Sequence, residues 1–97
     1  MEITKRTDGT ACTIALEGRL DTTTAPELET VLKEVFDDVQ ELNIDLKELD
    51  YISSAGLRVL LFAQKNMAGK KMVVKNVKPE IMEVFEITGF NEILTIE

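Results

Sequence analysis

The chain is built around one segment near its middle, which reads Asp50-Tyr51-Ile52-Ser53-Ser54-Ala55-Gly56-Leu57-Arg58-Val59-Leu60-Leu61. A strand pattern precedes it and a helix pattern follows it, so Ser54 falls where a helix should begin. Serine is a favoured N-cap residue because its side-chain oxygen can accept a hydrogen bond from an N–H of the first turn. The unpaired N–H groups of that turn also favour an anion. Ser54 is therefore either a hydroxyl placed to carry a phosphate group or one of two serines that cap a core helix.

Upstream of this segment, two extended stretches predict a β-hairpin. Glu2–Thr7 and Ala11–Glu17 flank Asp8-Gly9, and Asp-Gly between two strand patterns is a strong signal for a two-residue turn. Cys12 lies on the apolar side of the second strand, so we interpret it as a buried thiol.

One helix and a third strand are predicted between the hairpin and the central segment. Thr24 followed by Glu27 fits a capping box at the start of the helix, and apolar residues then recur at helical spacing. Glu41–Leu46 alternates as a strand, and the polar residues Lys47–Asp50 predict a turn after it.

Downstream, the helix of the central segment should end before Gly69, because glycine often takes the left-handed conformation after a helix. Lys71–Lys75 reads as a short strand, and Pro79 opens another helix that Gly89 should end. Ile93–Ile96 predicts a terminal strand. The predicted order is β-β-α-β-α-β-α-β, an α/β fold with a mixed sheet on which the helices pack.

The length of the chain and this order indicate one domain, residues 1–97. In open α/β sheets, sites form where strand ends meet helix starts. Two junctions of this kind are predicted, at Leu20–Ala25 and at Tyr51–Leu57.

The charge balance and the residue inventory exclude several classes of function. With 11 basic and 18 acidic residues the net charge is −7, which disfavours nucleic acid and membrane surfaces as partners. The chain has no histidine and a single cysteine, so histidine-dependent catalytic triads and His/Cys zinc sites are excluded. We expect a protein that is not an enzyme, without a metal or cofactor site. The single cysteine and the absence of a hydrophobic signal region favour a cytoplasmic location.

The central run Tyr51–Leu60 resembles the signature of the STAS domain (sulfate transporter and anti-sigma factor antagonist). It looks most like the bacterial single-domain anti-sigma factor antagonists, or anti-anti-sigma factors. Matching segments also occur at Gly18–Asp21, at the strand end Asp45-Leu46 and at Phe85–Phe90. The resemblance covers essentially the whole chain in the right order, and it implies a STAS-like mixed sheet.

The resemblance also implies a function. Members of this family bind an anti-sigma factor, often a serine kinase, while unmodified, and so release a sigma factor; phosphorylation by the kinase ends this binding. The phosphorylated serine aligns with Ser54. Ser53 stands where the family has aspartate and is a rival acceptor, and Arg58 stands where the family has a second glycine. The implied partner-binding residues are Asp21, Thr22, Ser53, Ser54, Ala55, Gly56 and Arg58.

Two other interpretations remain open from the sequence. The chain is alternatively a constitutive STAS interaction subunit, for example of a lipid-transport ATPase, in which Ser54 only caps a helix. A third possibility is a small-ligand sensor that uses the two junctions as a pocket. A monomer is the plain expectation for a switch that exchanges partners.

Overall fold

Alternating apolar residues build a four-stranded sheet in the order β1-β2-β3-β4. The computed structural model describes residues 1–97. The elements are β1 Glu2–Asp8, β2 Ala11–Leu20, α1 Ala25–Val35, β3 Glu41–Ile52, α2 Ser54–Asn66, β4 Lys71–Lys75, α3 Pro79–Thr88 and α4 Phe90–Ile93. Strands β1 and β2 are antiparallel, whereas β2, β3 and β4 are parallel. The mixed α/β fold class is confirmed, and no helix has the length and apolar character needed to cross a bilayer.

The core lies on one face of the sheet. Ile14, Ile44 and Val74 are aligned across the three parallel strands, and each is fully buried. Cys12 lies in the same core, as predicted. The helices complete the core with residues such as Leu28, Leu60 and Phe85. The helices therefore cover this face of the sheet.

The other face of the sheet is partly accessible: it is half-buried along β2, whereas Asn43 and Val73 on the same face are buried. Thr13 and Ala15 of β2 and Asp45 of β3 alternate with the core residues, and their side chains are only half-buried. None of the three belongs to the core cluster. The accessible part of this face continues along β2 to the carboxyl edge of the sheet, where β2 and β3 both end.

Strand β3 is longer than predicted, and the turn predicted at Lys47–Asp50 is wrong. The strand continues because Leu49 is fully buried and pairs with Gly18 of β2. The register between β2 and β3 shifts twice, between Ala15 and Glu17 and again after Gly18. Bulges of this kind place an extra residue in one strand without ending the pairing. The polar residues that resemble a turn are therefore the exposed residues of a bulged strand.

The hairpin turn differs from the prediction by one residue. Asp8 pairs with Ala11, so Gly9-Thr10 forms the two-residue turn. Gly9 has a φ of 62°, which is a conformation that glycine adopts without a Cβ clash. Asp8 therefore extends β1.

The end of the chain also differs, because the terminal strand predicted at Ile93–Ile96 does not form. Gly89 ends α3, as predicted, and its backbone is left-handed; α4 follows as a single turn. After Leu94 the chain joins β4 through one parallel bridge, Val74 to Ile96. The predicted strand does not form because its first residue, Ile93, belongs to α4, and the next residue, Leu94, caps that helix.

A close contact at Gly56 joins α2 to the sheet. A methyl group at Gly56 would lie 2.7 Å from Cγ of Leu20 and 2.8 Å from Cγ1 of Ile52. Both neighbours are buried at the ends of their strands, so they have little room to move. The first turn of α2 can therefore rest on the strand ends only because residue 56 has no side chain.

We expect Gly56→Ala to lower the free energy of unfolding by roughly 1–3 kcal/mol, because it overpacks this contact. The sign of this change tests the contact, because without a clash alanine would raise the stability of a helix by about 1 kcal/mol relative to glycine. Chemical denaturation followed by circular dichroism measures the change. Ser54→Ala in the same turn is the control and should change stability by less than about 0.5 kcal/mol. A Gly56→Ala protein as stable as the wild type would contradict the packing argument.

Candidate functional site

The two predicted junctions form a single site. Leu20 and Ile52 pair at the carboxyl ends of β2 and β3, and the Ser53 N–H donates to the Leu20 carbonyl at 2.9 Å. Asp21 and Ser53 each follow directly after these paired residues. The turn before α1 and the start of α2 therefore lie side by side at one edge of the sheet.

The residue that caps α2 is Ser53. Its backbone is extended, and its Oγ accepts from the Gly56 N–H at 3.4 Å. Ser54 is the first residue of the helix and is exposed. The helix begins where the sequence predicts, but Ser54 does not cap it. The Ser54 hydroxyl is therefore not required for the helix start.

Asp21 organises the turn that leads into α1. Its Oδ1 accepts hydrogen bonds from the Thr23 hydroxyl at 2.8 Å, the Thr23 N–H at 3.0 Å and the Thr24 N–H at 3.2 Å. The Thr23 hydroxyl bond is the main reason why the pKa of Asp21 lies below its ordinary value of 3.8. Asp21 is therefore a fixed negative charge at neutral pH.

The capping box predicted from Thr24 and Glu27 is wrong. Thr24 precedes α1 but its side chain makes no capping bond to the helix. Instead the Thr24 hydroxyl donates to the Arg19 carbonyl and accepts from the Asp21 N–H, each at 2.8 Å. The Asp21 carboxylate accepts the hydrogen bonds of the Thr23 and Thr24 N–H groups, and the Thr24 hydroxyl stabilises the turn from within.

Arg19 and Tyr51 form a contact that the sequence interpretation missed. They are partners in the β2–β3 register, and the guanidinium carbon of Arg19 lies 4.1 Å from the centre of the Tyr51 ring. Arg19 Nε is also 3.8 Å from Oδ2 of Asp21. Both residues stand in the quoted family segments, but the bulges in β3 hide their pairing from sequence spacing.

The other predicted site residues differ in accessibility. Thr22 and Arg58 are exposed, Ala55 is half-buried and Gly56 is buried. Arg58 lies four residues after Ser54, so the two side chains are neighbours on the helix surface. Gly56 therefore acts through packing, whereas Thr22, Ser54 and Arg58 are open to a partner.

The charge of Asp50 is balanced within the chain. Lys78 Nζ donates to Asp50 Oδ1 at 2.7 Å, and this bond is the main reason why the pKa of Lys78 lies above 10.5. The pair joins the approach to α3 to the bulged end of β3. The Asp50 carboxylate is therefore paired with Lys78.

A family model described as "Mlab, STAS domain" matches residues 3–95. The chain belongs to the STAS domain family. It is 39% identical over 84 residues to BtrV of Bordetella bronchiseptica, a candidate anti-sigma factor antagonist, covering 84% of this chain and 72% of BtrV. It is 30% identical over 86 residues to the anti-sigma-B factor antagonist of Staphylococcus aureus, covering 86% of this chain and 80% of that protein.

Solved STAS structures have the same fold. The unphosphorylated anti-sigma factor antagonist SpoIIAA superposes with a TM-score of 0.85 at 15% identity, over 99% of this chain and 88% of SpoIIAA. The phosphorylated form of SpoIIAA, from Bacillus, gives a TM-score of 0.78 at 15% identity, over 99% of this chain and 91% of that one. The STAS fold predicted from the central segment is confirmed.

The cap assignment predicts different effects for the two serines. Ser53→Ala should lower the free energy of unfolding by about 1 kcal/mol, because it removes the side-chain acceptor of the cap. Ser53→Asp should retain most of the stability, because aspartate caps as well as serine. Urea denaturation of both variants, with Ser54→Ala beside them, measures the difference. Equal loss from Ser53→Ala and Ser54→Ala would contradict the assignment.

The fixed charge of Asp21 predicts a pH-dependent stability. Because folding lowers the pKa of Asp21, its contribution is present above the unfolded value of about 4 and is lost as pH falls through the folded value. Asp21→Asn should therefore unfold at a lower temperature than the wild type near neutral pH, and the gap should close in acid. Thermal unfolding across a pH series measures this, with Asp8→Asn in the hairpin as control. A constant gap would show that charge is not involved.

Proposed function

We propose that the chain is an anti-sigma factor antagonist switched by phosphorylation at Ser54. With Ser54 unmodified, it binds an anti-sigma factor of the serine kinase type and so frees a sigma factor; phosphorylation by that kinase ends the binding. The observation that carries the proposal is the exposed Ser54 hydroxyl, which begins α2 without being used by its cap. The names of BtrV and of the Staphylococcus aureus relative support the antagonist role.

Ser54 is a better phosphate acceptor than Ser53. The Ser53 hydroxyl accepts the capping hydrogen bond and is half-buried, so its esterification would disturb the helix start. A phosphate on Ser54 would lie on the positive end of α2, with Arg58 one turn further along. Arg58 is exposed and forms no salt bridge of its own. SpoIIAA, which has the same fold, has been solved in a phosphorylated form.

A phosphate at Ser54 would oppose binding without refolding the domain. It adds about −1.5 to −2 charges and three strong acceptor oxygens at neutral pH. A partner surface that fits a neutral hydroxyl would then contact a charged phosphate, and desolvation of that phosphate would weaken binding. A change of about 3 kcal/mol is enough to weaken affinity more than a hundredfold. In this account the chain is a kinase substrate and a binding protein rather than an enzyme, acting as a monomer in the cytoplasm.

The switch predicts that charge at residue 54, rather than size, controls binding. We expect Ser54→Ala and Ser54→Asn to bind the anti-sigma factor as the wild type does, and Ser54→Asp to lose at least about a hundredfold in affinity. Asparagine is the matched control because it has the shape of aspartate without its charge. The partner is the kinase retained by immobilised Ser54→Ala protein from the native host, identified and then purified for calorimetry.

The acceptor is tested by site mapping of the protein from its native host. A phosphate mass lost in Ser54→Ala would support Ser54, whereas a phosphate retained in that variant would move the acceptor to Ser53. Equal binding by Ser54→Asp and Ser54→Asn would overturn the switch. Co-purification with an ATPase subunit and no phosphorylated form would instead favour the constitutive STAS subunit.

A further inference from the structure

Arg19 and Tyr51 form an exposed pair at the carboxyl ends of β2 and β3, next to the paired residues Leu20 and Ile52 that precede the two junctions. The Tyr51 residue is 41% exposed, and the Arg19 side chain is 62% exposed. Arginine and tyrosine are enriched among the residues that dominate protein–protein binding energy. The pair takes no part in the core, in the α2 cap or in accepting phosphate. Both side chains are therefore accessible to a partner.

The Arg19 side chain is held in place before any partner arrives. Its guanidinium lies over the Tyr51 ring, with its carbon 4.1 Å from the ring centre, and its Nε points towards Asp21. Asp21 is itself fixed by the hydroxyl and amide of Thr23. A side chain that is already ordered loses less entropy when it binds. The Asp21 contact, at 3.8 Å, is too long for a strong hydrogen bond and leaves the rest of the guanidinium free.

The chemistry of Arg19 determines what can bind to it. A guanidinium presents donors in a planar fork that matches a carboxylate with two parallel hydrogen bonds. An exposed arginine is commonly only a solvated charge, even with a weak ion-pair partner. Here the stack on Tyr51, the contact with Asp21 and the position next to the two junctions favour recognition instead.

We propose that Arg19 binds a carboxylate of an Asp or Glu side chain on the anti-sigma factor, with Tyr51 and Asp21 as positioning residues. The contact surface of the partner is therefore acidic opposite Arg19, although this chain itself has a net charge of −7. This inference rests on the proposed function, but it concerns a different residue and a different chemistry from the Ser54 switch.

Charge reversal tests the contact against the purified anti-sigma factor. Arg19→Glu should weaken binding about 100-fold, because two carboxylates would face each other in the interface. Arg6→Glu is the matched control: it makes the same charge change on β1, opposite Thr13 near the other end of β2. It should weaken binding less than about threefold. Equal effects of the two variants, with Ser54→Asp still unable to bind, would overturn the contact and leave the switch intact.

Two further variants separate recognition from charge alone. Arg19→Lys keeps the charge but loses the fork and the stacking surface, and should weaken binding about tenfold. Tyr51→Leu should have a similar effect by releasing Arg19. Wild-type affinity in both would contradict the positioning role. A charge-reversal scan of the surface Asp and Glu residues of the partner should yield one Lys variant that restores binding to Arg19→Glu, and no restoring variant would count against a carboxylate.

Tyr51 provides an independent readout because it is the only tyrosine in the chain. Incorporating 3-fluorotyrosine therefore gives one fluorine signal, located at this corner. Binding of the unlabelled anti-sigma factor should shift that signal in the wild type and in Ser54→Ala, and should leave it unchanged in Ser54→Asp. An unchanged signal in a complex that calorimetry shows to have formed would place Arg19 and Tyr51 outside the interface and overturn the proposal.

Discussion

The close contact at Gly56 is the constraint on which the site depends. Because no side chain intervenes, the first turn of α2 lies directly against Leu20 and Ile52. Those two residues end the paired strands β2 and β3, so the contact seats the start of α2 on the strand ends that also carry the turn at Asp21. A larger residue at position 56 would clash with both side chains and push the first turn of α2 away from the strand ends.

This packing also explains why Ser53 and Asp21 make structural hydrogen bonds at the site and Ser54 does not. Ser53 lies where the chain leaves β3, so its hydroxyl reaches back to the Gly56 N–H and caps the helix. Asp21 meets the corresponding need of the turn before α1. Because Ser53 caps α2, the Ser54 side chain faces solvent and makes no hydrogen bond that the helix start needs. A residue in that position can be modified without loss of the fold, which is what a switch requires.

Much of the fold could be predicted because periodicity and glycine positions act locally. The hairpin, the helix starts and the left-handed end of α3 each depend on a few neighbouring residues. The bulged end of β3 could not be predicted, because only pairing with β2 keeps Lys47–Asp50 extended. The same bulges align Arg19 with Tyr51, so their contact has no signal in sequence spacing. Ser53 rather than Ser54 is the cap because Ser53 has the extended backbone and Ser54 is already helical. The hydrophobic pattern of the sequence does not locate a helix start to within one residue.

The sequence resemblance places an aspartate where this chain has Ser53, so the site carries one negative charge fewer here. With a neutral cap, and with Asp50 paired to Lys78, the charges around Ser54 are two arginines, Arg19 and Arg58, against one aspartate, Asp21. A phosphate of about −1.5 to −2 charges would reverse that balance. A partner that offers a carboxylate to Arg19 would then meet a locally negative surface. Binding and release of the partner would thus both follow from the local charge around Ser54, although the whole chain is acidic with or without the phosphate.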